Sequence, residues 1–384
     1  MSEPQPPEPL DLTGFPPLQD RARVLLGPGP SLLHPRVQQA LSLSLLGHLD
    51  PDFIELMDRI RALLRHVFRT QNPLTFPVSG AGTAGMEAAV ANLIGPGDRV
   101  LAVCIGYFSE KLAELSGRYG ADLERLERPW GQALEADDLR QALRRRPAKV
   151  VTLVHGETST GVLQPLDELV AAAHEAGALV LLDTVSTLGG VPLDIEALGV
   201  DVCYSGSQKC LGAPPGLGPI TVGARAEQAL RERTRPVATW FLDLLALQRY
   251  WGPERQYHHT APIPLLFALY ESLRLLAEEG LQASWDRHRR NAEQLWTALE
   301  ALDLDLFVVQ PGLRLPTVTT VRVPQGVDEA AVRRQLLEAF NIEIASGLGP
   351  LKGQIWRIGL MGYSSRDDLV TLLVEALREI LRRR

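Results

Sequence analysis

Cysteine is scarce in this chain, with Cys104, Cys203 and Cys210 the only three among 384 residues. An odd count without metal-ligand spacing argues against a disulfide framework and for a reducing compartment. Cys104 and Cys203 fall in strand-like runs, where they read as small buried hydrophobes. Cys210 has no acid–base partner in the sequence and also reads as structural. Long apolar runs are missing too. None approaches the roughly 20 residues that cross a bilayer. Positive charge is not in excess either: the net charge is -7, so no general field attracts nucleic-acid phosphates. The basic runs Arg144-Arg145-Arg146 and Arg382-Arg383-Arg384 read as favourable helix-end charges. Residues 1–17 are rich in proline and acid, without the basic and apolar regions of a signal peptide. The chain does not close on a Ser-Lys-Leu tripeptide. A cytoplasmic location is the expectation, with no membrane partner. Low complexity is confined to the N-terminal arm, and the sequence has no internal repeat.

What is present suits a globular protein with a large core: 45% hydrophobic and 22% charged residues. The length implies about two or three domains. Residues 1–22 carry no core pattern and read as an extended arm. The tight turn Gly27-Pro28-Gly29-Pro30-Ser31 then precedes helices expected over 35–46 and 51–69. Six short, unbroken apolar strands are expected near 74–79, 99–104, 122–126, 149–155, 178–183 and 201–206. Helices near 83–93, 107–119, 136–145 and 165–176 alternate with them. That alternation predicts an α/β fold with a mostly parallel sheet buried on both faces. Beyond about 225 helices dominate, notably 264–280 and 281–302. Strands over 304–309, 317–323, 342–345 and 355–358 follow, mixed with helices over 328–340 and 366–382. These predict a large domain over 23–280 and a smaller C-terminal α+β domain over 281–384.

The chemistry-bearing residues gather at the ends of the apolar strands. Ser79-Gly80-Ala81-Gly82-Thr83-Ala84-Gly85 leaves a strand and opens a helix, so its N–H groups can hold an anion. The run also matches G-x-G-x-x-G, the basis for a competing reading as an NAD-dependent dehydrogenase. That fingerprint wants an acid at the end of the next strand. Here the next strand ends in Cys104-Ile105-Gly106, which favours a simple phosphate cradle. Asp183 closes Leu179-Val180-Leu181-Leu182-Asp183, and Lys209 follows the next strand in Tyr204-Ser205-Gly206-Ser207-Gln208-Lys209. An aspartate there can simply cap a turn. Ligands of open α/β sheets, however, bind at the carboxyl ends of strands. A lysine and an aspartate at neighbouring strand ends are what pyridoxal phosphate needs: one joins its aldehyde, the other keeps its ring nitrogen protonated. His155-Gly156-Glu157-Thr158-Ser159-Thr160-Gly161 ends a further strand and offers hydroxyls. Tyr257-His258-His259-Thr260 lacks the further ligands a metal would need. Arg357 stands inside the apolar strand Ile355-Trp356-Arg357-Ile358, paired either with a substrate carboxylate or with a structural acid.

Taken together, these blocks resemble the class V, fold-type-I aminotransferases. The resemblance runs from Leu25 to about Leu381 and adds Arg357-Ile358-Gly359-Leu360 to the matched pieces. It implies a seven-stranded, mostly parallel sheet and pyridoxal 5'-phosphate as cofactor. It further implies transfer of an amino group from alanine or serine to glyoxylate or pyruvate. Relatives acting on ureidoglycine or aminoethylphosphonate share the pattern. Cysteine desulfurases need a catalytic cysteine in the C-terminal half, and none follows Cys210. By this resemblance Lys209 joins the cofactor and acts as general base, and Asp183 meets the pyridine nitrogen. Gly82, Thr83 and Gln208 hold the phosphate, Thr158 reaches the ring hydroxyl, and Phe108 stacks on the ring. Tyr257 and Thr260 come from a second subunit, which implies a homodimer clasped by the N-terminal arms. Arg357 takes the substrate carboxylate beside the Gly29 turn. Phe108 stands where mammalian members have tryptophan, Ala81 where they have serine, and Thr83 where they have histidine.

Overall fold

The computed structural model describes residues 13–19 and 21–382; most of the arm expected over 1–22 lies outside them. Two helices, α1 (Pro35–Leu41) and α2 (Pro51–Phe68), precede the main sheet. Asp50 caps α2 by accepting from the Asp52 N–H, and Pro51 takes the first helical position, where no N–H is needed. α1 stops short of the expected 46. Ser42 turns its hydroxyl back onto the Gln39 carbonyl at 2.8 Å, a side-chain bond that competes with another helical turn. Leu43 and Leu45 are consequently left on the surface.

Seven strands build the main sheet: β1 (Leu74–Ser79), β2 (Arg99–Cys104), β3 (Asp122–Glu127), β4 (Val150–Val154), β5 (Leu179–Asp183), β6 (Val202–Tyr204) and β7 (Leu217–Val222). Their order is β1-β7-β6-β5-β4-β2-β3. Only β7 runs antiparallel to its neighbours. Every residue of β4, β5 and β7 is buried, which is why these runs are apolar without alternation. The crossovers are α3 (Gly82–Leu93), α4 (Tyr107–Arg118), α5 (Ala136–Arg145) and α6 (Asp167–Glu175). The carboxyl ends of β1, β2, β4, β5 and β6 therefore share one edge of the sheet.

β7 is the strand that sequence patterning did not locate, because Gly218 and Pro219 lie within it. Pro219 faces Pro77 of β1 across the ladder. Its carbonyl points the other way, accepting from Ser205 N at 2.8 Å. Each residue of an antiparallel pair directs its N–H and C=O to the same side. No ladder bond to β1 is therefore lost at Pro219.

α7 (Leu244–Trp251) and α8 (Ile263–Glu279) complete the first core, and α9 (Leu281–Glu300) leads into a second one. There β8 (Val318–Arg322), β9 (Ala345–Ser346) and β10 (Ile355–Gly359) form an antiparallel sheet in the order β8-β10-β9. Helices α10 (Glu329–Phe340) and α11 (Asp367–Arg382) pack against it. The strand expected over 304–309 is reduced to one bridge, Leu306 to Val321. Val309 is exposed, and Pro311 starts a 3-10 turn immediately afterwards. Val24–Leu25 pairs in parallel with Ile342–Glu343, and Leu26 is buried in the second core. The turn that follows, Pro28-Gly29, is thereby held by the C-terminal elements although it stands near the start of the chain.

Candidate active site

Asp183 ends β5 and Tyr204 ends β6, directly opposite each other in the parallel register. The Tyr204 hydroxyl donates to Asp183 Oδ2 at 2.6 Å, and the Val185 N–H donates to Oδ1 at 2.8 Å. Burial pushes this carboxyl up to about 6, against the pull of those two bonds. The charge of Glu157 adds to the rise, and Lys209 opposes it. Asp183 is thus a costly buried anion at neutral pH that retains lone pairs for one more donor.

Lys209 lies five residues beyond β6. Its Nζ donates to the Pro28 carbonyl. Ser31 fixes the lysine's backbone: its N–H donates to the Gln208 carbonyl at 2.9 Å and its hydroxyl to the Lys209 carbonyl at 2.9 Å. Burial, helped by the nearby Arg357 cation and opposed by Cys210 and Asp183, holds the Lys209 ammonium down to about 8. Each of the two groups feels the other's charge. Gly29 has φ +104, and a Cβ added there would lie 2.5 Å from Nζ. Only glycine lets the backbone approach the amine this closely in that conformation.

The turn before α3, the candidate phosphate cradle, adjoins the loops that carry both groups. A Cβ on Gly82 would fall 3.2 Å from Val185 Cγ2 and 3.4 Å from Gly206 Cα. A Cβ on Gly206 would in turn lie 3.2 Å from Gln208 Oε1. Ala81, the residue before α3, makes no side-chain capping bond. The first N–H groups of α3, from Gly82 and Thr83, are thus free for an anion. Gln208 Oε1 is buried without a partner; with the amide turned over, its Nε2 takes that place and supplies the donor an anion needs. Thr83 is exposed, and its hydroxyl accepts from Lys111 at 3.3 Å.

Opposite stands the loop after β4. Thr158 is buried, and its carbonyl accepts from Arg357 Nη1 at 3.3 Å; Arg357 Nε donates to the Ser346 carbonyl at 2.7 Å. The two bonds orient the guanidinium from one side. Burial lowers Arg357 to about 10 while Glu157 resists the drop, so it stays a cation at neutral pH. Phe108 lies in the first turn of α4, held by Glu157: that buried carboxylate accepts from the Phe108 N–H at 3.3 Å and the Ser109 N–H at 3.0 Å. It also accepts from the Ser159 hydroxyl at 2.6 Å.

Lys209, Asp183, Gly82, Thr83, Gln208, Thr158 and Phe108 stand on the elements along this edge; Gly29 reaches Lys209 from the turn after Val24–Leu25, and Arg357 reaches the Thr158 loop from β10. Tyr257 and Thr260 do not join them. Both are exposed on the loop 252–262, where Tyr257 packs on His48 with ring centroids 5.3 Å apart. Sequence reasoning did not single out Tyr204 or Glu157 as site residues. Tyr204 becomes legible only with the strand register. Glu157 had a fainter signal, an acid in a turn that is otherwise all small and hydroxylic.

These residues fit pyridoxal phosphate: an amine and an acid at adjoining strand ends, an uncapped helix start, and an unpartnered buried amide. The chain belongs to the class V aminotransferases, whose family model matches residues 36–372. It is a pyridoxal-phosphate-dependent transaminase of the fold-type-I architecture. It is 42% identical over 368 residues to an alanine–glyoxylate aminotransferase of Callithrix jacchus, covering 95% of this chain and 89% of the relative. It is 37% identical over 379 residues to the (S)-ureidoglycine–glyoxylate transaminase of Bacillus subtilis, covering 94% and 91%. A solved alanine–glyoxylate aminotransferase from Nostoc sp. matches with TM-score 0.94 and 50% identity, covering 97% of this chain and all of that one.

Proposed function

We propose that this transaminase moves an amino group from alanine or serine to glyoxylate or pyruvate. The observation that carries the chemistry is that a partly buried Lys209, in the turn after β6, and a buried Asp183, at the end of the neighbouring β5, each feel the other's charge. The substrate reading is supported by the alanine–glyoxylate aminotransferases at 42% and 50% identity. When bound, pyridoxal phosphate supplies an aldehyde for amine exchange and a ring that accepts the electron pair of the Cα–H bond. This chain's residues do the rest. Gly82, Thr83 and Gln208 hold the phosphate, Thr158 reaches the ring hydroxyl, and Phe108 covers one ring face. Asp183 keeps a proton on the ring nitrogen through a charge-assisted bond. Arg357 grips the substrate carboxylate with the part of its fork that Ser346 and Thr158 leave free, and the Gly29 turn bounds that site. Lys209 Nζ takes the Cα proton as general base.

Arg357→Lys removes the fork and keeps the charge. The amino donor's KM is expected to rise roughly tenfold to a hundredfold, with kcat less affected. An unchanged KM would assign Arg357 to structure alone. A panel of amino donors against glyoxylate and pyruvate tests the substrate. If alanine and serine fail while ureidoglycine works, the Bacillus relative marks the true activity.

We also place Tyr257 and Thr260 at the phosphate site of a second copy. The surface around them favours a homodimer. Leu43, Leu45, Leu49, Trp240, Phe241 and Tyr257 are exposed by 42–69%, the kind of large apolar side chain that a partner's surface covers. Sedimentation giving a monomer at micromolar concentration would reject it. The division at 280/281 into large and small domains, the embracing N-terminal arm and a cytoplasmic location belong to the same proposal. No helix among the described residues is long and apolar enough to cross a membrane, and the net charge of -7 gives no support to a nucleic-acid partner.

A further inference from the structure

The two histidines of the loop 252–262 are bonded to each other and to the end of β1. His259 Nε2 lies 2.7 Å from the Ser79 hydroxyl, and the Nδ1 atoms of His258 and His259 are 2.9 Å apart. His258 Nε2 lies 3.4 Å from the Trp240 carbonyl. Proton inventory fixes every direction in this chain. A carbonyl only accepts, so a neutral His258 carries its proton on Nε2 and leaves its Nδ1 bare. His259 must then donate from Nδ1, which leaves its own Nε2 to accept from the Ser79 hydroxyl. Both rings are neutral in this arrangement. Burial favours that state, holding His258 below its ordinary value and His259 down to about 4.

Aromatic packing locks the rings in place. Trp240 stacks on His258 with centroids 4.3 Å apart and planes within 9°. Phe241 meets His259 edge-on at 5.1 Å, and Tyr250 packs on it at 5.6 Å. Ser79 is the residue from which the phosphate turn departs: Gly80, Ala81 and Gly82 follow it directly. The same loop presents Tyr257 and Thr260 outward.

We propose that Ser79, His259 and His258 are positioning residues that bind the loop 252–262 to the phosphate turn of their own subunit. The turn that holds one coenzyme phosphate thereby sets the reach of Tyr257 and Thr260 toward the other. This rests on the assignment of Tyr257 and Thr260 to a second copy's site.

The test is the equilibrium affinity of the apoprotein dimer for pyridoxal phosphate, read by fluorescence quenching. His259→Ala and Ser79→Ala are each expected to weaken binding roughly five- to tenfold. The double variant should be no weaker than the weaker single one, because both remove the same bond. His259→Gln, whose amide oxygen can accept from Ser79, should recover most of the affinity. Sedimentation and the apoprotein melting temperature should stay at wild-type values in Ser79→Ala, which keeps the ring packing intact. Tyr257→Phe separates the premises. If it weakens binding while both tether variants bind normally, the tether is refuted and the loop assignment stands. If Tyr257→Phe binds normally, the loop assignment falls and takes the proposal with it.

Discussion

Lys209→Ala is expected to lose turnover by at least about 10⁴-fold, because in the proposed mechanism one amine serves as both covalent anchor and general base. The absorbance band of the lysine-bound coenzyme should vanish, along with its reduction by borohydride. Added methylamine should restore part of the rate, since the cavity left beside Gly29 can take a small amine. Activity within tenfold of wild type would eliminate Lys209 as the base. The amine's environment adds a pH signature. Burial holds the ammonium down to about 8, so the neutral, nucleophilic fraction grows about tenfold per pH unit below that value. Capture of the coenzyme by the apoprotein should accelerate accordingly and level off above pH 8. A rate still climbing toward pH 10 would mean an unperturbed, solvated lysine.

Asp183→Asn is expected to lower kcat by roughly 10²–10³, the range for removing one preorganised electrostatic contact from a water-excluded site. The amide can still accept from Tyr204 or Val185 but no longer counters a ring-nitrogen proton. A second consequence follows from linkage. Burial raises the Asp183 carboxyl to about 6 in the folded apoprotein, so between about 4 and 6 the fold binds more protons than the unfolded chain. The group's contribution is most favourable below about 4 and declines as pH rises through 6, by roughly 3 kcal/mol in all. Unfolding titrations of the apoprotein should show that decline, and Asp183→Asn should flatten it. A variant with the wild-type slope would mean that Asp183 titrates normally. With coenzyme bound, the cationic ring nitrogen offsets the buried charge, and the decline should disappear.

Residues adjacent in the chain were the easiest to interpret. The Gly82 turn, the Thr158 loop and the run to Lys209 are contiguous, and each ends a short apolar strand. Strand periodicity therefore placed them on one edge of a parallel sheet. Arg357 stood out because a cation inside Ile355-Trp356-Arg357-Ile358 calls for a partner. Expectation and structure part where a local pattern meets a tertiary demand. β7 carries Gly218 because α3 packs against it: a Cβ there would lie 3.0 Å from Gly85 N. Leu304 and Leu306 are buried as a strand's residues would be, yet one bridge is all that forms.

The amino-acid order alone determined the fold class and singled out the lysine and the acid as candidates, because buried parallel strands must be apolar and their ends are where polar residues become conspicuous. Only folding in three dimensions decided how those residues are tuned. The Tyr204 hydroxyl reaches Asp183 across a register that links residues 21 apart. The Pro28 carbonyl meets Lys209 from 181 residues away. Long-range pairings of this kind have no local periodicity to announce them, and burial, which sets the acidity of both groups, belongs to the packed core as a whole.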